Sequence, residues 1–274
     1  MEAPRLVASD VDGTLLGEDH EVSPRTAAVI GRLVAGGVPF VLVTGRPPRW
    51  IPPVATQLGV VRYAVCANGA VLYDVEADRI VGSRALHPED LVRLEQAVAE
   101  ALPGATLGVE RVGERAFDDQ VAQFVAEPDY EHAWPGGGPP TEARDRLLAH
   151  PAVKLLVRAK GMSSDAMAAV LEPLVGDVVD ITFSHPGGLI EVAPAGVSKA
   201  TGLRDLMERT PEFADIAADE VVAFGDMPND VAMLRWAGHG VAMGNAHPEV
   251  VAAADETTAS NVDDGLALVL ERWF

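Results

Sequence analysis

Short apolar runs alternate with amphipathic stretches over the first third of the chain. Residues 4–9 predict a buried strand that ends in carboxylates. Ser23 is a good N-cap, and Pro24 suits the first helical position. Ala27, Ala28, Ile30, Leu33 and Val34 then make one helical face, which Gly36-Gly37 ends. Residues 38–43 predict a second strand and residues 63–67 a third, with a Pro-interrupted helical piece between them. Strands apolar on both sides, alternating with helices, predict a parallel sheet in an α/β layer.

The pattern changes in the middle. Leu91, Leu94, Val98 and Leu102 mark a helix over 88–102, and helices are also predicted over 142–149 and 164–175. Strands are predicted near 106–110, 121–125, 153–157, 178–183 and 189–192, with a Gly/Pro-rich loop at 134–140. Helices on a mostly antiparallel sheet make an α+β layer. The last third returns to the first pattern. Helices are expected over 198–207, 228–236, 247–254 and 263–272, with strands over 220–224 and 240–243. The simplest organisation is a Rossmann-like α/β core formed by residues 1–83 and 187–274, into which an α+β segment, 84–186, is inserted. No repeat of 20–50 residues is present.

Composition narrows the function. The 274 residues carry 41 Asp plus Glu against 21 Lys plus Arg, a net charge of −20. That balance argues against nucleic acid and against anionic membrane surfaces as partners, since both favour a basic face. No stretch of about 18 apolar residues suggests a membrane span, and the first residues lack an apolar signal region. Cys66 is the only cysteine, so a reducing, cytoplasmic setting is expected, with Cys66 itself a core residue. Only three of the cations are lysines, Lys154, Lys160 and Lys199, which raises the question of why arginine would not serve there.

Polar residues stand at the carboxyl ends of the apolar strands, where ligands of open α/β sheets bind. Asp10 and Asp12, in Asp-Val-Asp-Gly-Thr, can share one site as nucleophile and proton donor in phosphoryl transfer. Gly13 permits the tight turn between strand and loop. Thr44-Gly45-Arg46 offers a hydroxyl and free N–H groups to phosphate oxygens, although Thr-Gly alone is a common turn. Lys199, at a helix start, could hold phosphate and the nucleophile as a compact point charge. Taken alone, it reads as an exposed first-turn lysine. Asp226 and Asp230 flank Asn229 at a strand-to-helix turn, a donor set suited to Mg²⁺. Helix capping explains one of these acids comfortably and the pair less well.

These four segments, in this order, resemble the motifs of the haloacid dehalogenase-like phosphatase superfamily. Asn68-Gly69-Ala70, Ile190-Glu191-Val192, Met233, residues 241–246 and residues 260–265 resemble its Cof-type branch, which carries a large αβ cap. The resemblance spans most of 5–83 and 187–270, with Ala200 standing where many relatives have glycine. It implies a Mg²⁺-dependent phosphatase that hydrolyses a small phosphomonoester, such as a sugar phosphate, through an aspartyl-phosphate. Asp10 would be nucleophile and metal ligand. Asp12 would be general acid/base, with its backbone carbonyl on the metal, and Asp226 would be a further metal ligand. Thr44, Gly45 and Lys199 would hold the phosphoryl group, Arg46 and Asn68 would contact substrate, and Asn229 and Asp230 would position metal-bound waters, Lys199 or phosphate.

The same residues also fit two other readings, a phosphosugar mutase of the phosphomannomutase type and a non-enzymatic phospho-acceptor switch. Substrate identity and oligomeric state, including a homodimer, are open at this stage. Candidates for selecting the leaving group in the inserted segment are Arg111, Arg115, Arg158, Lys154, His132, Trp134 and His185. Each, taken singly, reads as surface or packing.

Overall fold

The computed structural model describes residues 2–131, 140–183 and 187–274. Most of the loop expected at 134–140, together with His132, Trp134 and His185, lies outside them. Strands β1–β5 are Leu6–Ser9, Phe40–Val43, Tyr63–Cys66, Val71–Asp74 and Arg79–Ser83. Strands β6–β10 are Thr106–Glu110, Phe124–Ala126, Lys154–Arg158, Val179–Thr182 and Leu189–Pro194, and β11–β13 are Val221–Gly225, His239–Ala242 and Glu256–Thr257. Helices α1–α5 are Pro24–Ala35, Pro52–Leu58, Pro88–Ala101, Arg144–Leu147 and Ser164–Val175. Helices α6–α9 are Lys199–Arg209, Val231–Trp236, Pro248–Ala253 and Gly265–Leu270. Among the described residues no helix is long and apolar enough to cross a membrane.

The chain forms two compact units, Met1–Gly82 with Ser198–Phe274, and Ser83–Val197. The first is built on an eight-stranded sheet ordered β13-β12-β11-β1-β2-β3-β4-β5. Its centre is parallel: β1 pairs with β11 on one side and β2 on the other, with Ala8 opposite Ala223 and Val41. The β1, β2 and β11 residues are all buried, as a sheet covered on both faces requires. One face packs Leu6, Ala8, Val41, Val43 and Val65 with Leu203, Leu206 and Leu234 from α6 and α7. Ser23 caps α1 as expected, its hydroxyl accepting from the Thr26 N–H. The antiparallel strand β4 has no counterpart in the sequence reading, because a short apolar run beside a turn does not separate strand from helix.

The second unit carries a five-stranded sheet ordered β7-β6-β8-β10-β9. Helices α3 and α5 pack on it through Leu91, Leu94, Val98, Met167 and Leu171 against Leu107, Val109, Leu155, Val157, Ile190 and Val192. The boundary expected at 186 is corrected here. Strand β10 pairs antiparallel with β8 and β9, so Leu189–Pro194 belongs to this sheet and the unit runs to Val197. Periodicity identifies such a strand, but only its partners identify its sheet. The helix expected over 142–149 shortens to Arg144–Leu147, and the strand expected near 121–125 falls at Phe124–Ala126.

One close approach in the first unit has consequences for chemistry. Gly69 follows β3 with φ +105°, and a Cβ there would lie 2.0 Å from the Ser198 carbonyl oxygen. A Cβ on Gly202, in α6, would lie 2.5 Å from the Gly69 Cα and 2.7 Å from Val65 Cγ1. The two glycines let the start of α6 press against the turn after β3. Ser198 caps that helix reciprocally with Thr201, its backbone N–H donating to Thr201 Oγ1 at 2.9 Å. Lys199 is thereby carried inward rather than left on a solvated first turn. Gly202→Ala should therefore lower the thermal midpoint. Alanine gains about 1 kcal/mol of helix propensity, but overpacking of this kind costs about 1–3 kcal/mol. A raised midpoint would contradict the close approach.

Candidate active site

The carboxyl ends of β1, β2, β3 and β11 lie side by side in the parallel part of the first unit's sheet. Asp10 follows β1, and its backbone N–H donates to Phe224 O on β11 at 3.0 Å. Asp226 and Asp230 follow β11, and Lys199 enters from the first turn of α6. The Lys199 ammonium donates to Asp10 Oδ1 and to Asp230 Oδ1, each at 2.5 Å. Its side chain is 0% exposed, so this is the interior lysine that the motifs suggested and not a surface one. The other Asp230 oxygen accepts from the backbone N–H groups of Asp226 and Met227, both at 3.0 Å. Asp230 thus holds the turn and Lys199 together.

Asp10, Asp226 and Asp230 bring carboxylate oxygens within 4.8 Å of one another. The formal sum with Lys199 is −3 + 1 = −2, and all four residues are buried. Burial pushes the Asp10 carboxyl well above the usual carboxylate range; Lys199 opposes this shift, while Asp230, Asp226 and Asp12 add to it. Burial and the neighbouring Asp230 likewise raise Asp226 to about 7. Burial alone would lower the Lys199 ammonium, but Asp10 and Asp230 outweigh it and raise it. A buried, net-negative cluster of hard oxygen donors fits a divalent cation such as Mg²⁺. The backbone fits as well. Gly13 has φ +79°, and a Cβ there would fall 2.3 Å from Asp226 Oδ2, inside the space the carboxylate needs.

The remaining expected residues form two linked groups. Asn229 Nδ2 donates to Asn68 Oδ1 at 3.1 Å, and Asn229 Oδ1 is buried with no donor among the described residues. Asn68 itself is left-handed, at φ 56°, and its N–H donates to Thr44 O. Thr44, 1% exposed, accepts the Arg46 N–H on its hydroxyl at 3.1 Å, with Gly45 between them. The Asp12 carboxylate stands apart from the acidic cluster and is half exposed. It accepts from Arg46 Nε at 2.7 Å and from Arg46 Nη2 at 2.6 Å.

Three residues have positioning roles that the motifs alone did not assign. Thr14 Oγ1 donates to Asp226 Oδ1 at 2.9 Å, tying the loop after β1 to the turn after β11. Asn245 Nδ2 donates to Gly13 O at 2.8 Å, and Asn261 Nδ2 donates to Leu16 O at 2.7 Å. Asn245 Oδ1 in turn accepts the Asn261 N–H. The asparagines stand in the segments 241–246 and 260–265 that carried the resemblance; the signal was present, but a single chain does not show what an amide will touch. In the second unit, Lys154 is buried and paired with Glu191 at 2.8 Å, and Arg111 Nη2 donates to Leu147 O at 3.0 Å. Arg115 is exposed and Arg158 partly buried.

A family model for haloacid dehalogenase-like hydrolases matches residues 7–270. A 5-amino-6-(5-phospho-D-ribitylamino)uracil phosphatase of Bacillus subtilis is 30% identical over 274 residues, covering 99% of this chain and 98% of the relative. An HMP-PP phosphatase of Serratia proteamaculans is 31% identical over 249 residues, covering 90% and 86%. A subclass IIB sugar phosphatase of known structure aligns with TM-score 0.79 over 98% of each chain; at 22% identity it shows the shared fold.

The buried acids make the metal-free protein sensitive to pH and to metal. A carboxyl held at about 7 favours the folded state when protonated, so its contribution is full below the ordinary value near 3.8 and is lost as pH rises through 7. In EDTA, the thermal midpoint should fall between about pH 4 and 7 and level off above it. Asp226→Asn should flatten that fall, raise the midpoint at pH 8 by roughly 2–4 °C, and abolish most of the stabilisation that Mg²⁺ gives the wild type. A variant less stable than wild type in EDTA at pH 8 would contradict the electrostatic account.

Proposed function

Because the chain belongs to the haloacid dehalogenase-like hydrolase family, we propose that it is a phosphoric monoester hydrolase that cleaves a small phosphorylated metabolite of the sugar-phosphate type through an aspartyl-phosphate. The observation that carries the proposal is the buried Lys199 ammonium joining Asp10 to Asp230 beside Asp226. A lysine so placed keeps one carboxylate oriented as a nucleophile and supplies positive charge where a phosphate dianion must approach.

In this mechanism an Asp10 oxygen attacks phosphorus in line with the ester oxygen. The P–O ester bond breaks, and Asp12 gives a proton to the departing alkoxide. Asp12 then takes a proton from water as that water attacks the phosphorus of the acyl phosphate. Inorganic phosphate leaves and the Asp10 carboxylate is restored. Lys199, Thr44 and backbone N–H groups near Gly45 would hold the phosphoryl oxygens. Asp10, Asp226 and the Asp12 backbone carbonyl would hold Mg²⁺, with Asp230 and Asn229 supporting them. When bound, the cation supplies charge neutralisation to the phosphoryl group.

We assign leaving-group selection to the second unit, Ser83–Val197. One relative is named for a phosphoribitylamino-uracil and another for HMP-PP, which supports a small phosphorylated metabolite over a macromolecule. The lone, buried Cys66 supports action in a reducing cytoplasm.

The test is a phosphomonoester panel with Mg²⁺, covering sugar phosphates, polyol phosphates, phosphoglycolate and nucleotides, run with wild type and Asp10→Asn. Wild type should release inorganic phosphate from at least one class. The variant should lose at least about a thousandfold in turnover and keep its fold by circular dichroism. Near-wild-type hydrolysis by Asp10→Asn would overturn the assignment.

A further inference from the structure

The Arg46–Asp12 pair has no counterpart in the expected division of labour, which placed Arg46 on the substrate. Two nitrogens of one guanidinium donate to two oxygens of one carboxylate, at 2.7 and 2.6 Å. This is the two-pronged geometry in which arginine orients a carboxylate as well as attracting it. The arginine is itself held. Its N–H donates to Thr44 Oγ1 at 3.1 Å, its carbonyl accepts from Ala67 N–H at 2.9 Å, and its side chain is 17% exposed. The aspartate side chain, in the loop after β1, is 50% exposed. An ordinary exposed ion pair contributes little, but here a fork anchored by its own backbone grips a half-exposed carboxylate next to a cluster of like charges.

We infer that Arg46 is a positioning residue for Asp12, not a ligand of the transferred phosphate. Four acids meet in this region, and Asp12 is the one whose carboxylate lies outside the cluster of Asp10, Asp226 and Asp230. Proton transfer to a leaving group needs a carboxylate that is not committed to a cation or to Lys199. Arg46 supplies that separation by drawing both Asp12 oxygens toward the end of β2. The inference rests on the phosphatase proposal and adds a division between the group that moves the proton and the group that aims it.

Leaving-group dependence separates the two roles of Arg46. Kinetics with Mg²⁺ would compare wild type, Arg46→Ala, Arg46→Lys, Asp12→Asn and the Arg46→Ala/Asp12→Asn double variant. The substrates would be 4-nitrophenyl phosphate, whose leaving group needs no proton, and the best alkyl phosphate from the panel. Inhibition by inorganic phosphate would report binding of the phosphoryl group, and thermal midpoints would confirm folding. A misplaced proton donor should reduce kcat on the alkyl ester roughly 10- to 100-fold. KM and the phosphate inhibition constant should stay within about twofold of wild type.

With 4-nitrophenyl phosphate, Arg46→Ala should show a burst of nitrophenolate followed by slow turnover, because only dephosphorylation of Asp10 still needs the Asp12 carboxylate. Arg46→Lys keeps the charge without the fork and should not restore kcat. The double variant should be no slower than Asp12→Asn alone. The inference is overturned if Arg46→Ala raises KM and the phosphate inhibition constant tenfold on both substrates alike. It is also overturned if the double variant multiplies the two losses, or if Arg46→Lys turns over like wild type. Full alkyl-ester turnover by Asp12→Asn would remove the phosphatase role of Asp12, and this inference with it.

Discussion

A single ammonium group, buried among carboxylates, holds the chemical end of the first unit together. Lys199 Nζ reaches Asp10 after β1 and Asp230 after β11 at equal distances of 2.5 Å. Without it, three acids would face one another in a buried site, an arrangement that buried charge tolerates only when paired and hydrogen-bonded. Arginine would bring a broad planar fork where two separate oxygens must meet one point. This gives a physical reason why one of only three lysines stands here in a chain that otherwise uses arginine.

The backbone is shaped to make that contact possible. Gly69 and Gly202 let α6 approach the end of β3. Gly13 leaves room for Asp226, and a Cβ on Gly225 would fall 2.4 Å from the Asp230 Cβ. Thr14, Asn245 and Asn261 then tie the loop after β1 to the turns that follow β11, β12 and β13. The site is therefore stabilised by cross-links between loops, while the parallel strands beneath supply a rigid, fully buried base. With a chain charge of −20 and a site that stays net negative even with Lys199, an anionic substrate could approach only where a bound cation offsets the acids. Lys199 is buried in the acid cluster, and Arg46 lies at its edge.

Much of this was legible in the sequence. The apolar strands, the Ser23 cap and the Gly36-Gly37 stop were visible because each rests on local periodicity or capping. Asp10, Lys199, Asp226 and Asp230 were legible as types in order, since strand-end acids and a lysine at a helix start have a shared chemistry. What was not legible depends on partners distant in sequence. The strand Leu189–Pro194 was identifiable, but its membership of the antiparallel sheet was not. Arg46 read as a substrate contact because it shares a motif with Thr44; only the folded chain shows its guanidinium on Asp12, 34 residues away along the chain. Asn245 and Asn261 lay in recognisable segments whose amide targets are 232 and 245 residues away.

The central claim is that Lys199 and Asp230 act as one coupled unit, and a double-mutant cycle measures that coupling directly. Urea unfolding of wild type, Lys199→Met, Asp230→Asn and the double variant in metal-free buffer would give the interaction energy. The account predicts a coupling of about 2 kcal/mol or more, with the double variant more stable than the sum of the single losses requires. Additive losses, with a coupling below about 0.5 kcal/mol, would contradict it.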